Sequence, residues 1–316
     1  MELLKLGKTL ATTFLASLVV ISLLGFTSSS CAATFPVGTG SPTGTYHRFM
    51  NEVKGLCPDV GLDLKNTSGS TGNLDGMEGN VFAAGVVQAD ALALYGQTRD
   101  MSGIKVLVPL FLEQVHIVAK NVVGQEGGVG IGSIKFGAKN IVLNSVEDLA
   151  GRTVAAAGGS FITAQVLRLQ GQLPMNLVEV ASPEAALAGV ESGTYQAAIL
   201  VGAQPLKTLS ALGGKLANYR LLPVTEAFAN KVKLYTGSQR LTYREMGVQG
   251  TNVATVAVPS VLAVQNYRKG AMAQQAAALR KCILDNAEDQ AATPGAHPAW
   301  RAIGKTGTSW PVWEGK

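Results

Sequence analysis

The chain has 316 residues, of which 47% are hydrophobic and only 15% are charged, and its formal net charge is +5. This composition excludes an intrinsically disordered protein, because disorder goes with low hydrophobicity and high net charge. No segment concentrates the positive charge, so binding of nucleic acid, which needs clustered Lys and Arg, is not expected. A weak positive field favours small anionic ligands.

The first 33 residues have the order of an export signal. Lys5 and Lys8 precede an uncharged apolar run, residues 9–26, and small residues suited to cleavage follow as far as Ala33. We therefore predict that residues 1–33 are a cleaved signal peptide and that the mature protein is periplasmic. A retained membrane anchor is one alternative, since the run is near the lower length limit for a spanning helix. A lipoprotein modified at Cys31 is another.

The chain has three cysteines, and Cys57 and Cys282 are the two that stay after cleavage. An oxidising compartment permits them to pair. A bridge would close a loop of more than 200 residues, which is worth on the order of 3–5 kcal/mol in the chain-entropy model. Two separate buried thiols are the alternative that the sequence leaves open.

From residue 34 onward, short apolar runs alternate with helical patterns. In the first part of the chain, strands are predicted at 34–38, 60–66, 81–88, 105–111 and 114–119. Helices are predicted between them at 45–56, 74–79 and 89–95. Strands that are separated by helices predict a parallel sheet with helices on its faces.

The pattern restarts after a glycine-rich stretch, residues 124–137, which predicts a hairpin. Ser145 begins a capping box for a short helix, and Ser182 caps a helix that starts with Pro183. The other predicted elements are strands at 152–157, 177–180 and 195–201 and helices at 161–170, 183–192 and 204–212. This is a second α/β unit with its own sheet.

The last part of the chain returns to the first unit. An apolar, β-branched run predicts a strand at 251–264, and a long helix is predicted at 265–287. All three tryptophans, Trp300, Trp310 and Trp313, lie in the tail. We expect this tail to pack against its domain as part of the core and not to stack on a ligand.

Three polar, glycine-flanked loops follow predicted strands or begin predicted helices, at residues 38–46, 68–73 and 158–161. Glycine lets the backbone approach a ligand closely, and hydroxyl groups and free N–H groups at a helix N-terminus attract anions. In α/β sheets, ligands collect at the C-terminal ends of the strands. One such loop is most simply a helix cap, but three of them in two α/β units predict a ligand cleft between two lobes.

No enzymatic motif in the sequence is complete. The glycines at 38, 40 and 44 do not have the spacing of the dinucleotide fingerprint, and Lys305-Thr-Gly307 resembles a β-lactamase box without the Ser-x-x-Lys that accompanies it. His47, His116 and His297 lie far apart in the sequence, without metal-ligand spacing. We therefore predict no catalytic residue, no metal and no cofactor; a hydrolase or transferase would need a nucleophile–base pair.

The run from Gly38 to His47, followed by Gly69-Ser-Thr-Gly-Asn73 and Gly85-Val-Val-Gln-Ala-Asp90, closely resembles the TAXI family. These proteins are the extracytoplasmic solute receptors of TRAP transporters. Further matching segments are residues 109–118, 146–154, 159–160 and 183–198. The resemblance covers most of residues 34–203 and thins after Leu212.

The resemblance implies an α/β fold of the two-lobed periplasmic-binding-protein type II, with the ligand in the cleft between the lobes. The expected lobe 1 is residues 34–114 with 255–316, and the expected lobe 2 is residues 115–254. The implied ligand is a small anionic or zwitterionic solute, either an amino acid such as glutamate or a small carboxylate. The implied partners are TRAP membrane subunits driven by an ion gradient. A binding protein of an ATP-driven importer, or of a signalling partner, is the alternative.

The resemblance also implies a set of ligand-binding residues. Positions that match the family motifs are Ser41, Thr43, Thr45, Ser70, Asn73, Gln88 and Ser160. Further candidates are Gly44, Tyr46, Phe161 and Gln204. Phe161 stands where many relatives have glycine, which bears on the contact from lobe 2 and on ligand size. The matched motifs contain no arginine, so neutral donors and helix N-termini would hold a carboxylate.

Overall fold

The computed structural model describes residues 34–131, 134–233 and 235–315. The predicted signal peptide, including Cys31, lies outside the described residues. Within these ranges, no helix has both the length and the apolar character needed to cross a membrane.

The first part of the chain builds three parallel strands and the helices that connect them. The strands are β1 (Phe35–Gly38), β2 (Leu62–Lys65) and β3 (Ala84–Gln88), and their spatial order is β2-β1-β3. The helices are α1 (Thr45–Leu56), α2 (Ser70–Glu78) and α3 (Ala89–Tyr95). In α1, Phe49, Met50 and Val53 recur on one face and are fully buried, which is the pattern that predicted this helix.

One long strand, β4 (Ile104–Lys120), follows, where the sequence predicted two separate strands. Leu112 and Glu113 join the two apolar runs without a turn residue and keep extended pairing with a later strand, so the chain does not break there. Small antiparallel pairs come next and include the predicted hairpin: β5 (Gly124–Glu126) with β8 (Lys139–Ile141), and β6 (Val129–Ile131) with β7 (Ile134–Phe136).

The second parallel set repeats the arrangement of the first. The strands β9 (Thr153–Ala156), β10 (Asn176–Glu179) and β11 (Ala197–Gly202) have the order β10-β9-β11, and α4 (Gly159–Gln170) and α5 (Pro183–Ser192) connect them. The predicted capping box at Ser145 and the predicted cap at Ser182 are both present.

The remaining elements are three helices and the last three strands of the sheet. They are α6 (Lys207–Ser210), β12 (Tyr219–Leu221), α7 (Glu226–Ala229), β13 (Thr236–Leu241), β14 (Val253–Gln265) and α8 (Ala271–Ala292). The sequence missed β13, because its residues lack apolar alternation and its pairing with β14 is a tertiary contact. Helix α8 begins six residues later than predicted, after Gly270 with its φ of 85°.

Each parallel set borders one of the two long strands, which run antiparallel to each other. β3 pairs with the C-terminal part of β14, and β11 pairs with the C-terminal part of β4. We call the β2-β1-β3 part with α1–α3 and α8 lobe 1, and the β10-β9-β11 part with its helices, β12 and β13 lobe 2. This confirms the predicted α/β, two-lobed type II class. The prediction that the second unit has its own sheet is wrong, because the long strands β4 and β14 pair with each other and join both sets into one ten-stranded sheet in the described part of the chain. The predicted borders at residues 114 and 255 fall inside β4 and β14, and the exact hinge stays a prediction.

The tail packs on lobe 1. Trp300 and Trp313 are buried in the same apolar cluster as Phe49, and the backbone N–H of Trp313 donates to the Val106 carbonyl of β4. The prediction of a core-forming tail is confirmed for these two residues. Cys57, at the end of α1, and Cys282, in α8, form a disulfide, which decides between the two alternatives that the sequence left open.

Candidate ligand-binding site

A cavity of about 340 Å³ lies between the two lobes, where the C-terminal ends of both parallel strand sets meet. Its size fits a small solute. Lobe 1 contributes the loops after β1 and β2 together with Gln88, and the long strand β4 contributes Glu113. Lobe 2 contributes the loops after β9 and β10 and the end of β11. The place agrees with the rule that ligands bind at the carboxyl ends of strands in α/β sheets.

Four helices begin at this cavity, and three of them lack a side-chain cap. Gly44, Gly69 and Gly158 precede α1, α2 and α4, and none of these glycines can offer a capping side chain. In α5, by contrast, the Ser182 hydroxyl accepts a hydrogen bond from Ala185 N–H. The first N–H groups and the positive dipole ends of three helices therefore converge without a side-chain anion. A carboxylate in the cavity would cap them.

Two glycines of lobe 2 touch lobe 1 directly across the cavity. A Cβ added at Gly158, whose φ is 50°, would lie 2.4 Å from the Ser68 carbonyl oxygen, and one at Gly159 would lie 2.2 Å from Gln88 Oε1. At Gly158 the obstacle is backbone, so this approach requires glycine there, whereas a side chain at position 159 would require Gln88 to shift. The two lobes are therefore in contact around the cavity.

Glu113 is the buried acidic group of the cavity. Its side chain is 3% exposed, and Tyr46 donates its phenolic hydrogen to Glu113 Oε2 at 2.5 Å. Burial raises the pKa of Glu113 to about 8, although the bond from Tyr46 opposes the shift. Among the described residues that line the cavity, none is Lys, Arg or His. Because an ionised carboxylate is costly to bury without a cation, Glu113 keeps its proton at neutral pH while the cavity is empty.

The hydroxyl groups in the cavity are oriented by backbone. Ser70 Oγ accepts from Gln88 N–H at 3.0 Å and donates to Gln88 Oε1 at 3.3 Å. Ser160 Oγ accepts from Val201 N–H at 3.0 Å, which joins the start of α4 to the end of β11. Each serine thus has a defined direction before any solute arrives.

The structure brings most of the predicted site residues together. Those that line the cavity are Ser41, Thr43, Gly44, Thr45, Tyr46, Ser70, Gln88 and Ser160. Three other candidates, Asn73, Phe161 and Gln204, are not among its lining residues.

Asn73 lies beneath the cavity and positions its loops. It is fully buried, and its Nδ2 donates to the Thr39 carbonyl at 2.8 Å and to the Val86 carbonyl at 2.7 Å, while its Oδ1 accepts from Thr67 Oγ1 at 2.6 Å. These bonds use the amide that the sequence assigned to the solute. Asn73 therefore holds the first two loops against β3.

The other two candidates point elsewhere. Phe161 packs against the apolar core of lobe 2. Gln204 lines an adjoining cavity of about 250 Å³, together with Arg48 and Lys207, and its Oε1 accepts from Thr242 N–H. Gln204 therefore lies at the mouth of the site and not at its centre.

Sequence reasoning missed Glu113, although a signal was available. It is the only acidic residue in the largely apolar run of residues 104–119. A single carboxyl group within a buried strand is a candidate functional group, because burial of an unpaired charge costs free energy and is therefore rare where the group has no function.

No family model and no curated protein matches the chain. Solved structures of similar fold include the GluR0 ligand-binding core from Nostoc punctiforme in complex with L-glutamate, which is 14% identical, with 85% of this chain and 96% of that chain covered and a TM-score of 0.49. A substrate binding protein of an amino acid ABC transporter is 11% identical, with coverage of 81% and 94% and a TM-score of 0.47. Tv2483 bound to L-arginine is 13% identical, with coverage of 82% and 87% and a TM-score of 0.49. These identities are too low to transfer a ligand to this chain.

Proposed function

We propose that this chain is an extracytoplasmic receptor that binds a small zwitterionic solute, an amino acid, and delivers it to a membrane transporter. The observation that carries the proposal is the combination of three uncapped helix N-termini and the buried Glu113 in one cavity. The N-termini suit a carboxylate, and Glu113 suits an ammonium group. Both groups occur together in an amino acid.

The described lining residues of the cavity include no cationic side chain, so Glu113 has no positive partner within the protein. When an ammonium group enters, it supplies the positive partner that Glu113 lacks, and the carboxyl group releases its proton and forms a charge-assisted hydrogen bond. A small dicarboxylate has no such group, so it could not take the place of the proton that Glu113 holds. The geometry therefore favours an amino acid over the simple carboxylate that the sequence also allowed.

The transporter partner is proposed from the motifs. The loops that resemble the TAXI family, at residues 38–47, 69–73 and 85–90, contribute many of the residues of this cavity or directly support it. This supports delivery to TRAP membrane subunits from the periplasm, after removal of residues 1–33. The alternative is an ATP-driven importer or a signalling partner. Uptake by proteoliposomes that contain the candidate membrane subunits, with either an ion gradient or ATP as the only energy source, distinguishes these partners.

The binding proposal is tested by calorimetry and thermal shift on matched sets of solutes. Each set contains an L-amino acid, its deaminated carboxylic acid and its decarboxylated amine, for example L-alanine, propionate and ethylamine. Only the zwitterion is expected to stabilise the protein, by about 2.7 kcal/mol at a concentration of 100 Kd. Equal binding of the deaminated acid would remove the role of Glu113, and no binding by any amino acid would refute the receptor function.

A further inference from the structure

A second contact joins the lobes beside the cavity, and it centres on a buried carboxylate. Asp90, the second residue of α3 in lobe 1, is 1% exposed. Its Oδ2 accepts a hydrogen bond from Thr163 Oγ1 at 2.7 Å and another from Tyr235 OH at 2.9 Å. Both donors belong to lobe 2. One carboxylate oxygen thus carries two hydrogen bonds across the gap between the lobes.

An apolar contact lies next to these bonds. Ile162, the neighbour of Thr163 in α4, is 4% exposed and belongs to the same apolar cluster as Leu74, Met77 and Leu92. Every other buried member of this cluster comes from lobe 1 or from the parts of β4 and β14 that adjoin it. Separation of the lobes would expose Ile162 and break both hydrogen bonds, so the contact exists only while the lobes are together.

The contact is separate from the solute. Asp90, Ile162, Thr163 and Tyr235 are not among the lining residues of the 340 Å³ cavity. A change at Ile162, Thr163 or Tyr235, which carry no charge, can therefore alter solute affinity only through the equilibrium between separated and joined lobes. Domain closure about a hinge is the expected motion of a two-lobed binding protein.

The second oxygen of this carboxylate accepts no hydrogen bond of good geometry, although the backbone N–H groups of Asp90 and Ala91 lower the pKa of the group. Asp90 Oδ1 is buried and has no hydrogen-bond partner among the described residues. None of the ion pairs found in the described part of the chain includes Asp90. Three titratable groups interact with it: Tyr235, which donates to it, and Glu113 and Tyr46 in the neighbouring cavity. A proton on Oδ1 would neutralise the group without loss of either bond to Oδ2.

We propose that Asp90, Thr163 and Tyr235 form a proton-sensitive clasp that holds the two lobes closed, and that a proton taken up by Asp90 strengthens it. The proposal rests on the proposed function, because it assumes that a solute is bound by the closed protein.

The direction of the pH effect follows from burial. Burial raises the pKa of Asp90 to about 6 in the closed protein, although the bonds from Thr163 and Tyr235 lower it, whereas an exposed aspartate in the open protein has its ordinary pKa of 3.8. The closed state therefore binds the proton more tightly than the open state. By linkage, closure becomes more favourable as the pH falls from above 6 towards 4, and this advantage is lost as the pH rises through 6.

The donors are tested by removing one hydroxyl group at a time. Thr163→Val and Tyr235→Phe keep the shape and remove the hydrogen bond. The probe is L-glutamine, whose own groups do not titrate between pH 5.0 and 7.5. At pH 7.5, where Asp90 is ionised, each variant is expected to bind it about 10- to 20-fold more weakly than wild type, since it loses a bond to a charged group. At pH 5.0, where Asp90 holds a proton, the loss is expected to be smaller, about 2- to 10-fold. Thr163→Ser, which keeps the hydroxyl, is expected to restore most of the affinity.

A matched control removes the same kind of bond inside one lobe. Thr225 donates to the Glu147 carboxylate, and both residues lie in lobe 2, away from the cavity. Thr225→Val is therefore expected to lower the melting temperature and to leave the affinity for L-glutamine unchanged. Wild-type affinity in both Thr163→Val and Tyr235→Phe, with only the melting temperature lowered, would show that these bonds are structural and would overturn the clasp.

The role of proton uptake by Asp90 is tested with the variant Asp90→Asn, which cannot titrate. Because Glu113 also titrates, the measured quantity is the ratio of wild-type to Asp90→Asn affinity for L-glutamine. This ratio is expected to rise about tenfold from pH 7.5 to pH 5.0, as the difference between pKa 6 and 3.8 requires. A ratio that does not change with pH would remove the proton from the proposal.

Small-angle scattering of the empty protein separates failure of the clasp from failure of the receptor function. Thr163→Val and Tyr235→Phe are expected to have a larger radius of gyration than wild type and Thr225→Val, because they open more readily. If wild type binds no amino acid, the proposed function fails, and these radii decide the clasp on their own. Equal radii for all four proteins would overturn it.

Discussion

The protein has two buried carboxyl groups near the gap between its lobes, Glu113 and Asp90, and their surroundings can be compared directly. Glu113 faces the cavity and has one hydrogen bond, from Tyr46 in lobe 1, and its pKa is raised to about 8. Asp90 faces α4 and has two hydrogen bonds, both from lobe 2, and its pKa is raised to about 6. In both cases burial is the main cause of the shift.

The difference lies in the number and origin of the donors. Two hydroxyl donors compensate part of the burial of Asp90, and they do so only across the gap between the lobes. Glu113 has a single donor and open volume in front of it, so the larger part of its burial is uncompensated until a solute arrives. The comparison therefore assigns solute recognition to Glu113 and closure to Asp90.

The largest expected effect is on solute affinity at Glu113. Glu113→Gln keeps the size of the side chain and removes the charge that would pair with an ammonium group. We expect the affinity for an L-amino acid to fall about 30- to 150-fold, which corresponds to about 2–3 kcal/mol for a charge-assisted bond in a buried site. Isothermal titration calorimetry at pH 7.5 measures it.

The control for this variant is Glu179→Gln, an exposed position at the end of β10 with the same change of charge, which should bind normally. A loss of affinity in Glu179→Gln equal to that in Glu113→Gln would attribute the effect to the general field of the protein and not to contact with the solute.

The second effect is the dependence of the free energy of unfolding on pH. Glu113 and Asp90 contribute to it over different pH ranges. Each raised pKa means that the folded protein binds the proton more tightly than the unfolded chain. The free energy of unfolding therefore falls as the pH rises, from about 4.5 to 8 for Glu113 and from about 3.8 to 6 for Asp90. Between pH 6 and 8, the fall is mainly that of Glu113 and amounts to about 2 kcal/mol at most, since one pKa unit is worth about 1.4 kcal/mol.

Urea denaturation of the empty protein at pH 6 and pH 8 measures this fall. Glu113→Gln should lose most of it, and Asp90→Asn should keep it. If Asp90→Asn alone removed the fall between pH 6 and 8, the assignment of the two carboxyl groups would have to be exchanged.

A smaller effect on solute affinity is expected at the uncharged contact between Gly158 of lobe 2 and Ser68 of lobe 1. Gly158→Ala places a Cβ against the Ser68 carbonyl, and because the obstacle is backbone, the lobes cannot close fully. We expect solute affinity to fall about tenfold, or about 1.4 kcal/mol, in addition to a loss of stability from the positive φ. Calorimetry with melting curves measures both.

Gly270→Ala is the matched control, because Gly270 also has a positive φ before a helix but faces open space. It should lose stability and keep its affinity. If both glycine variants bound equally well, the contact between Gly158 and Ser68 would not limit closure.

The smallest expected effect is that of Ser160→Ala. It leaves Val201 N–H without the hydroxyl oxygen that accepts its hydrogen bond, which costs about 1 kcal/mol of stability, and it removes one neutral donor from the cavity. Affinity for the amino acid should fall only about fivefold. A fall as large as that in Glu113→Gln would place the main polar contact with the solute in lobe 2.

Much of the fold could be predicted because its signals are local. The apolar face of α1, the capping box at Ser145 and the cap at Ser182 depend on spacings of three or four residues, and all are present. The glycine-rich loops of each parallel set also lie together at the cavity, since chain direction brings the C-terminal ends of parallel strands to one edge. The strand β13 was missed because its stabilising partner is β14 and not its own sequence.

The site shows the same division. The motifs identified eight of the cavity residues, because glycine and hydroxyl residues after a strand are a pattern along the chain. They could not show that Asn73 turns its amide to Thr39 and Val86, since that depends on the packing of β3 beneath the loop.

The sequence by itself determined the α/β alternation, the two units and the loops that surround the cavity. Only the tertiary structure decided which carboxyl groups matter, because their properties come from burial and from partners that are distant in the chain. Glu113 meets Tyr46 across 67 residues, and Asp90 meets Thr163 across 73 residues and Tyr235 across 145 residues. A pKa is set by the water that is excluded around a group and by the donors that replace it. Neither can be known before the two lobes are in contact.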